Sequence, residues 1–368
     1  MKIERIDLLI VRLELVRSFA TSSSQRRYLD HILVKAHAAG LVGWGECASP
    51  IDPYYCEETT ETCWHMLKDF LGPAVLGREW ATIEELMVPL RKVKRNNFAK
   101  AGIEMACFDL LAQAQGQPLH ALLGGTRGEI LSGVSLGIER DTQQLFALID
   151  QFLDEGYRRV KLKIGPGHDV AVIAKVRERY PDLPLMADAN SAYRLDDLPL
   201  LQRLDAFGLM MIEQPLGHDD IIDHAQLQAG LRTPICLDES IHSAEDARKA
   251  LDLGSGRIIN IKVSRLGGLL EAKKVHDLCF ARGVPVWCGG MHEYGIGRAA
   301  NVALSTLPGF TLPGDVSGSD KYYAEDIVDP PLLATRGAIA APTGIGLGYA
   351  PNEGRIKRDT VRSLTLTA

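Results

Sequence analysis

Six charged residues close short apolar runs, positions where charge is seldom tolerated without a partner. RVKLKI carries Lys161 and Lys163, LPLMAD ends in Asp188, GLMMIE in Glu213, PICLD in Asp238 and IINIK in Lys262. The steps from Lys163 to Asp188, Glu213, Asp238 and Lys262 are 25, 25, 25 and 24 residues. Lys161 and Lys163 are two positions apart, so on a strand both side chains leave by one face. Three carboxylates brought to one point need a cation. Oxygen-only donors favour Mg²⁺ or Mn²⁺ over zinc, which prefers His and Cys. Six-coordinate Mg²⁺ held by Asp188, Glu213 and Asp238 leaves room for water and a small carboxylate substrate. The metal then takes up charge as the proton beside that carboxylate leaves, a step needing on the order of 10 kcal/mol of electrostatic help. Lys163 and Lys262 are the expected bases or acids, with Lys161 a cation near the carboxylate. Arg265 follows closely, and neighbouring cations are expected to lower a lysine's pKa toward the working range of a base.

These residues converge only if the strands run parallel. From about residue 130 to 315, apolar strands (LSGVSLGI, RVKLKI, LPLMAD, GLMMIEQP, PICLDE, IINIKV, PVWCGG and a weaker one near FTLPGD) alternate with amphipathic helices such as DTQQLFALIDQFLDEG and GLLEAKKVHDLCFARG. Such βα repeats build either a parallel barrel or an open doubly wound sheet. No GxGxxG follows the first strand, so the barrel is preferred. Its strand ends meet at one mouth, where RVKLKI as second and IINIK as sixth strand would set Lys163 and Lys262 across from each other. Residues 1 to about 50 read as strands and 57 to about 123 as helices, with a helix stop within them at Gly116-Gln117-Pro118. The expected α/β architecture is a modified (β/α)7β TIM-like barrel over 126–320, with an α+β capping domain over 1–125. A Pro- and Gly-rich segment, 321–368, is expected to return to the cap.

Composition narrows the class further. The chain has 368 residues, 46% hydrophobic and 24% charged, with a net charge of −6. An acidic balance argues against nucleic-acid binding. Seven cysteines form no CxxC pair and read as reduced, mostly buried thiols. No apolar run approaches the ~20 residues of a membrane span, and the N-terminus, MKIERIDLLIVRLELV, is too charged for a signal peptide. The cytoplasm is the default location.

The motifs KLK (161–163), DAN (188–190), EQP (213–215), DES (238–240) and IKVSRLGG (261–268) resemble the enolase superfamily, muconate-lactonizing-enzyme subgroup. GWGECASP at 43–50, GVSLGI at 133–138 and the long stretch from Pro285 to Asp315 are most similar to its o-succinylbenzoate synthase / N-acylamino acid racemase family. The resemblance implies a Mg²⁺-dependent lyase or racemase, a place in menaquinone biosynthesis and a homo-oligomer. It also implies substrate contacts from Ser135, Asn190, Gly290 and Met291, with Phe19 and Tyr55 on capping loops. His292 stands where relatives usually have an apolar residue, and is read either as lining the pocket or as a hydrogen-bonded structural histidine. Val263-Ser264 differs from the Pro-Gly of some racemases. Glu293 is read as a fourth acidic ligand or, in preference, as a support behind the site; Glu239 is expected to point to the opposite side of its strand from Asp238, and Glu46 to buttress a loop. Dehydration needs one lysine as base and acid; racemisation needs both. Dipeptide epimerase and muconate cycloisomerase are alternatives, the former disfavoured by Met291-His292-Glu293 where an Asp-x-Asp is usual. A non-catalytic metal-binding barrel is the alternative of another class.

Overall fold

The computed structural model describes residues 1–20, 25–139 and 141–368, with backbone alone at 18–20 and 25–26. The side chain of Phe19 therefore lies outside the described residues. Three strands, Arg5–Ala20, Gln25–Ala38 and Leu41–Cys47, form an antiparallel sheet in chain order. A fourth, Thr360–Thr367, pairs along the outer edge of the first. The chain's end is thus a strand and not loop; its alternating TVRSLTLT pattern was eclipsed by the Pro- and Gly-rich stretch before it.

The helix Asn97–Ala114 lies on this sheet. Its approach depends on glycine: a Cβ at Gly45 would lie 2.0 Å from the carbonyl oxygen of Gly102. The contact places two buried acids of the helix, Glu104 and Asp109, where they reach other elements. Asp109 accepts hydrogen bonds from the backbone of Trp44 and Leu347, and Glu104 from that of Leu269 and Leu270.

Seven parallel strands follow in unbroken neighbour order: Val134–Leu136, Val160–Lys163, Leu185–Asp188, Ile212–Glu213, Ile235–Leu237, Ile258–Ile261 and Val286–Cys288. Residues 310–314 span the gap between the last and first by single parallel bridges, Val286 to Phe310 and Ser132 to Gly314. The barrel closes there through its weakest strand, as FTLPGD suggested. Asp141 and Ser243 cap the helices Thr142–Asp154 and Ala244–Leu253 through their side-chain oxygens. Inside the barrel, Met186, Met211, Cys236, Ile258 and Trp287 pack into one buried cluster, with the Trp287 indole donating to the Cys236 sulfur at 3.3 Å. A dry floor of this kind strengthens every charge interaction above it.

Candidate active site

All six charged strand ends point into the same mouth. Register places Asp188 directly opposite Lys163 on one side and Glu213 on the other. Asp188, Glu213 and Asp238 are each at most 1% exposed. Lys161 Nζ lies 3.0 Å from Glu213, 3.2 Å from Asp188 and 2.5 Å from Asp315. Lys163 Nζ donates to Asp188 and to the Asn190 side-chain oxygen, both at 2.6 Å. Lys262 Nζ donates to Asp238 at 2.7 Å and to the Tyr55 hydroxyl at 3.1 Å, and sits 4.6 Å above the Tyr55 ring. Arg265 also contacts Asp238. Lys163 and Lys262 stand on the second and sixth strands, with three strands between them.

Burial opposes charge on every one of these groups, and the partners decide the outcome. Asp188 is held far below the usual carboxylate range because Lys163 and Lys161 outweigh its burial. Asp315 is held low in the same way by Lys161 and Arg159. Glu213 moves upward, pushed by burial and by the charge of Asp188 beside it. Lys161 is raised: burial disfavours its charge, but Asp315, Glu213 and Asp188 prevail. Lys262 is raised against its burial chiefly by Tyr55, Glu239 and Glu213. The sequence-based expectation of lowered lysine pKa values is therefore corrected for these two lysines. Acidic groups outweigh both burial and the neighbouring cations at each of them.

A cavity of roughly 440 Å³ opens above. Lys161, Lys163, Lys262, Ser135, Asn190, Tyr55, Gly290, Met291 and His292 all line it, so the expected contacts are brought together, Phe19 apart. Asp188, Glu213 and Asp238 lie beneath. His292 takes positive φ, +61°, and stacks on Tyr322 with ring centres 4.7 Å apart. Among the described residues no three acidic, His or Cys side chains stand preassembled as a metal cage. The acids instead share ammonium groups. Their chemistry still suits a hard divalent cation: all donors are carboxylate oxygens, and Asp188 and Glu213 already converge on one positive charge.

Residues 6–124 match the model of the mandelate racemase / muconate lactonizing enzyme N-terminal domain, and 144–355 match the enolase C-terminal domain-like model. The chain belongs to the enolase superfamily. Among its enolase-superfamily relatives, the o-succinylbenzoate synthase of Geobacillus kaustophilus is 51% identical over 97% of this chain and 96% of its own. The N-succinylamino acid racemase of an Amycolatopsis species is 47% identical over 95% of each. A crystal structure of an enolase-superfamily member from Listeria innocua superposes with a TM-score of 0.97 at 38% identity, covering 100% of this chain and 99% of that one. Enolase-superfamily members generally depend on a divalent metal and act on small molecules. No helix among the described residues is long and apolar enough to cross a membrane.

Sequence reasoning missed Asp315, Arg159 and Asn260 at this candidate site and misplaced Glu239. Asp315 joins Lys161 to Arg159, whose guanidinium it meets at 2.7 Å. It ends FTLPGD as the other acids end their strands, a signal hidden by that strand's weakness. Asn260, two residues before Lys262, donates to Glu213 at 2.7 Å. Glu239 was expected to point away from the site. It lines the cavity instead and accepts a hydrogen bond from Asn190 at 3.0 Å, because the strand ends at Leu237 and its alternation no longer applies.

Proposed function

We propose that this protein removes the proton next to a substrate carboxylate, acting as an o-succinylbenzoate synthase, an N-succinylamino acid racemase, or both. The observation that carries the reading is the pair of lysines, Lys163 and Lys262, on opposite sides of a mouth floored by three buried acids. Relatives at about half identity over nearly the whole chain, named for each reaction, support it. Asp188, Glu213 and Asp238 would hold Mg²⁺ (or Mn²⁺), which supplies a positive charge for the substrate carboxylate and the enediolate it becomes. Asp188, Glu213 and Asp238, once engaged by the metal, would hold a proton on the neighbouring bases less strongly, which favours a neutral Lys163 or Lys262, while Lys161 keeps Asp315 as a partner.

The chain's own residues do the rest. In dehydration one lysine takes the α-proton to give the enediolate, from which the β C–O bond then breaks. It then hands the proton to the departing hydroxyl, so that water leaves and the ring becomes aromatic. The opposite ammonium balances charge on the flattened intermediate. In racemisation the proton is taken by one lysine and a different proton returned by the other, inverting the centre. Lys161, locked among three acids, stays charged and faces the carboxylate end. Tyr55 holds Lys262 from the cap side. Ser135, Asn190, Gly290, Met291 and His292 are proposed to shape the space around the acyl group. Phe19 is proposed to belong to the same lid as Tyr55.

The same reading makes 1–125 the cap, 126–320 the barrel and 321–368 a return segment, in a cytoplasmic homo-oligomer. Purified protein with Mg²⁺ should dehydrate the cyclohexadiene precursor of o-succinylbenzoate and carry solvent deuterium into the α-carbon of N-succinyl amino acids. Absence of both reactions refutes the reading; one without the other selects between synthase and racemase.

A further inference from the structure

Asn190 sits between Lys163 and Glu239 with its two-ended amide fixed. Its oxygen faces the Lys163 ammonium at 2.6 Å, while its NH₂ faces a Glu239 oxygen at 3.0 Å. Its backbone is left-handed, with φ of +42°, and its N–H donates to Asp188 at 3.0 Å, so the main chain is pinned too. Glu239 is 5% exposed, and its second oxygen is buried without a hydrogen-bond partner. An asparagine amide is nearly symmetric in shape, and either end can turn toward a neighbour. Beside an ammonium only the oxygen is attractive. The Glu239 carboxyl on the far side reinforces that choice by accepting from the NH₂ end, which fixes the amide at both ends.

We infer that Glu239 is a positioning residue for Lys163, acting through Asn190 to hold that lysine on its own face of the substrate. The inference rests on the proposed function and adds an asymmetry that the pair of lysines alone does not have. Lys262 is held by Asp238 and Tyr55 and feels Glu239 through its charge alone, whereas Glu239 reaches Lys163 through the hydrogen bonds of Asn190. Loss of the Glu239 hydrogen bond should therefore injure the Lys163 face, while loss of its charge alone bears on the Lys262 face. The carboxylate's charge is separable from its hydrogen bond. Glu239→Gln keeps an oxygen to accept from Asn190, while Glu239→Ala keeps neither.

The test follows α-proton exchange with deuterium for each enantiomer of an N-succinyl amino acid separately, in the Mg²⁺-loaded enzyme. Lys163→Ala and Lys262→Ala first assign one enantiomer to each lysine. Glu239→Ala should slow exchange of the Lys163 enantiomer about tenfold or more, the scale of a lost hydrogen bond to a charged network. Exchange of the Lys262 enantiomer, which feels only the lost charge, should change to the same extent in Glu239→Ala and Glu239→Gln, while on the Lys163 enantiomer Glu239→Gln should restore exchange to within about threefold of wild type. No loss on the Lys163 face, or a Gln variant as impaired there as Ala, would overturn the inference. If the wild type exchanges neither enantiomer, the racemase half of the parent reading fails. The same variants are then read in dehydration, where Glu239→Ala must lower kcat at unchanged KM and Gln must restore it. A wild type inactive in both assays refutes the parent reading and this inference with it.

Discussion

Glu104 offers a way to test how the cap holds the catalytic barrel. It is fully buried on the cap helix Asn97–Ala114 and accepts from the backbone of Leu269 and Leu270 at the start of the helix Leu269–Ala281, just beyond the turn that carries Lys262. Burial pushes its carboxyl up to about 8 from an ordinary value of 4.5, and the two N–H donors offset only part of that. In the unfolded chain the proton leaves near pH 4.5; in the folded chain it stays until about pH 8. Between these values the native state binds the extra proton, so stability falls as pH rises and levels off above about 8. A difference of some three to four units at 1.36 kcal/mol each gives roughly 4–5 kcal/mol across the window. The assay is urea unfolding at half-unit steps from pH 5 to 9, in wild type and Glu104→Gln. The variant cannot ionise here, and its curve should lack this contribution, so the two should diverge by a few kcal/mol over the range. Parallel curves would refute the assignment and show that the helix N-terminus keeps Glu104 charged throughout.

Three further outcomes follow from the same geometry. Gly268 has φ of +135°, and a Cβ there would lie 1.8 Å from a Glu104 oxygen; Gly268→Ala should cost at least 2–3 kcal/mol in urea unfolding and lower activity by displacing the Lys262 turn. Arg159, 1% exposed, is paired with Asp315; Arg159→Met should destabilise by about 3–5 kcal/mol, because Asp315 keeps a buried charge with one partner fewer, and an unchanged midpoint would contradict this. Lys163→Ala and Lys262→Ala should each lower dehydration by 10²-fold or more while leaving circular dichroism unchanged, and near-full turnover in either would remove that lysine from the mechanism.

The strand-end acids and lysines were legible because a parallel barrel imposes its own arithmetic. One βα unit takes about 25 residues, its strand is apolar, and a charge at the strand's end has nowhere to go but the mouth. Residues outside that arithmetic were harder to read. Glu239 lies two residues beyond Leu237, the last residue of its strand, so face alternation predicted the wrong side for it. Asp315 closes a strand of single bridges with little apolar signature. Tyr55 was placed over the pocket by resemblance alone; its direct bond to Lys262 spans 207 positions of sequence, and no periodicity reports on such a contact. The direction of the lysine pKa shifts also escaped. Sequence lists which charges are near, but the sign depends on distances of 2.5 to 3.2 Å that only the fold sets.

The cap's acids show why two folding units serve one site. Glu46, in the cap strand Leu41–Cys47, accepts from the backbone of Tyr294 at 2.8 Å and of Gly297 at 2.7 Å, at the start of the helix Gly295–Ser305. His31 holds its other side at 2.7 Å. Glu104 does the same for the helix after Lys262. Each acid satisfies orphan N–H groups where a helix begins, and each of those helices follows a strand whose end faces the cavity. The loop Gly290–Glu293 and the Lys262 turn are thus tethered by carboxylates that belong to the other unit. A barrel alone would leave these helix starts to water and its strand ends free to drift. Reaction at a weakly acidic carbon tolerates little drift, since a displacement of about 1 Å can cost a hundredfold in rate. On the proposed function, the cap would act on catalysis at two levels, by covering the substrate with Tyr55 and by fixing, from behind, the ground on which Lys262 stands.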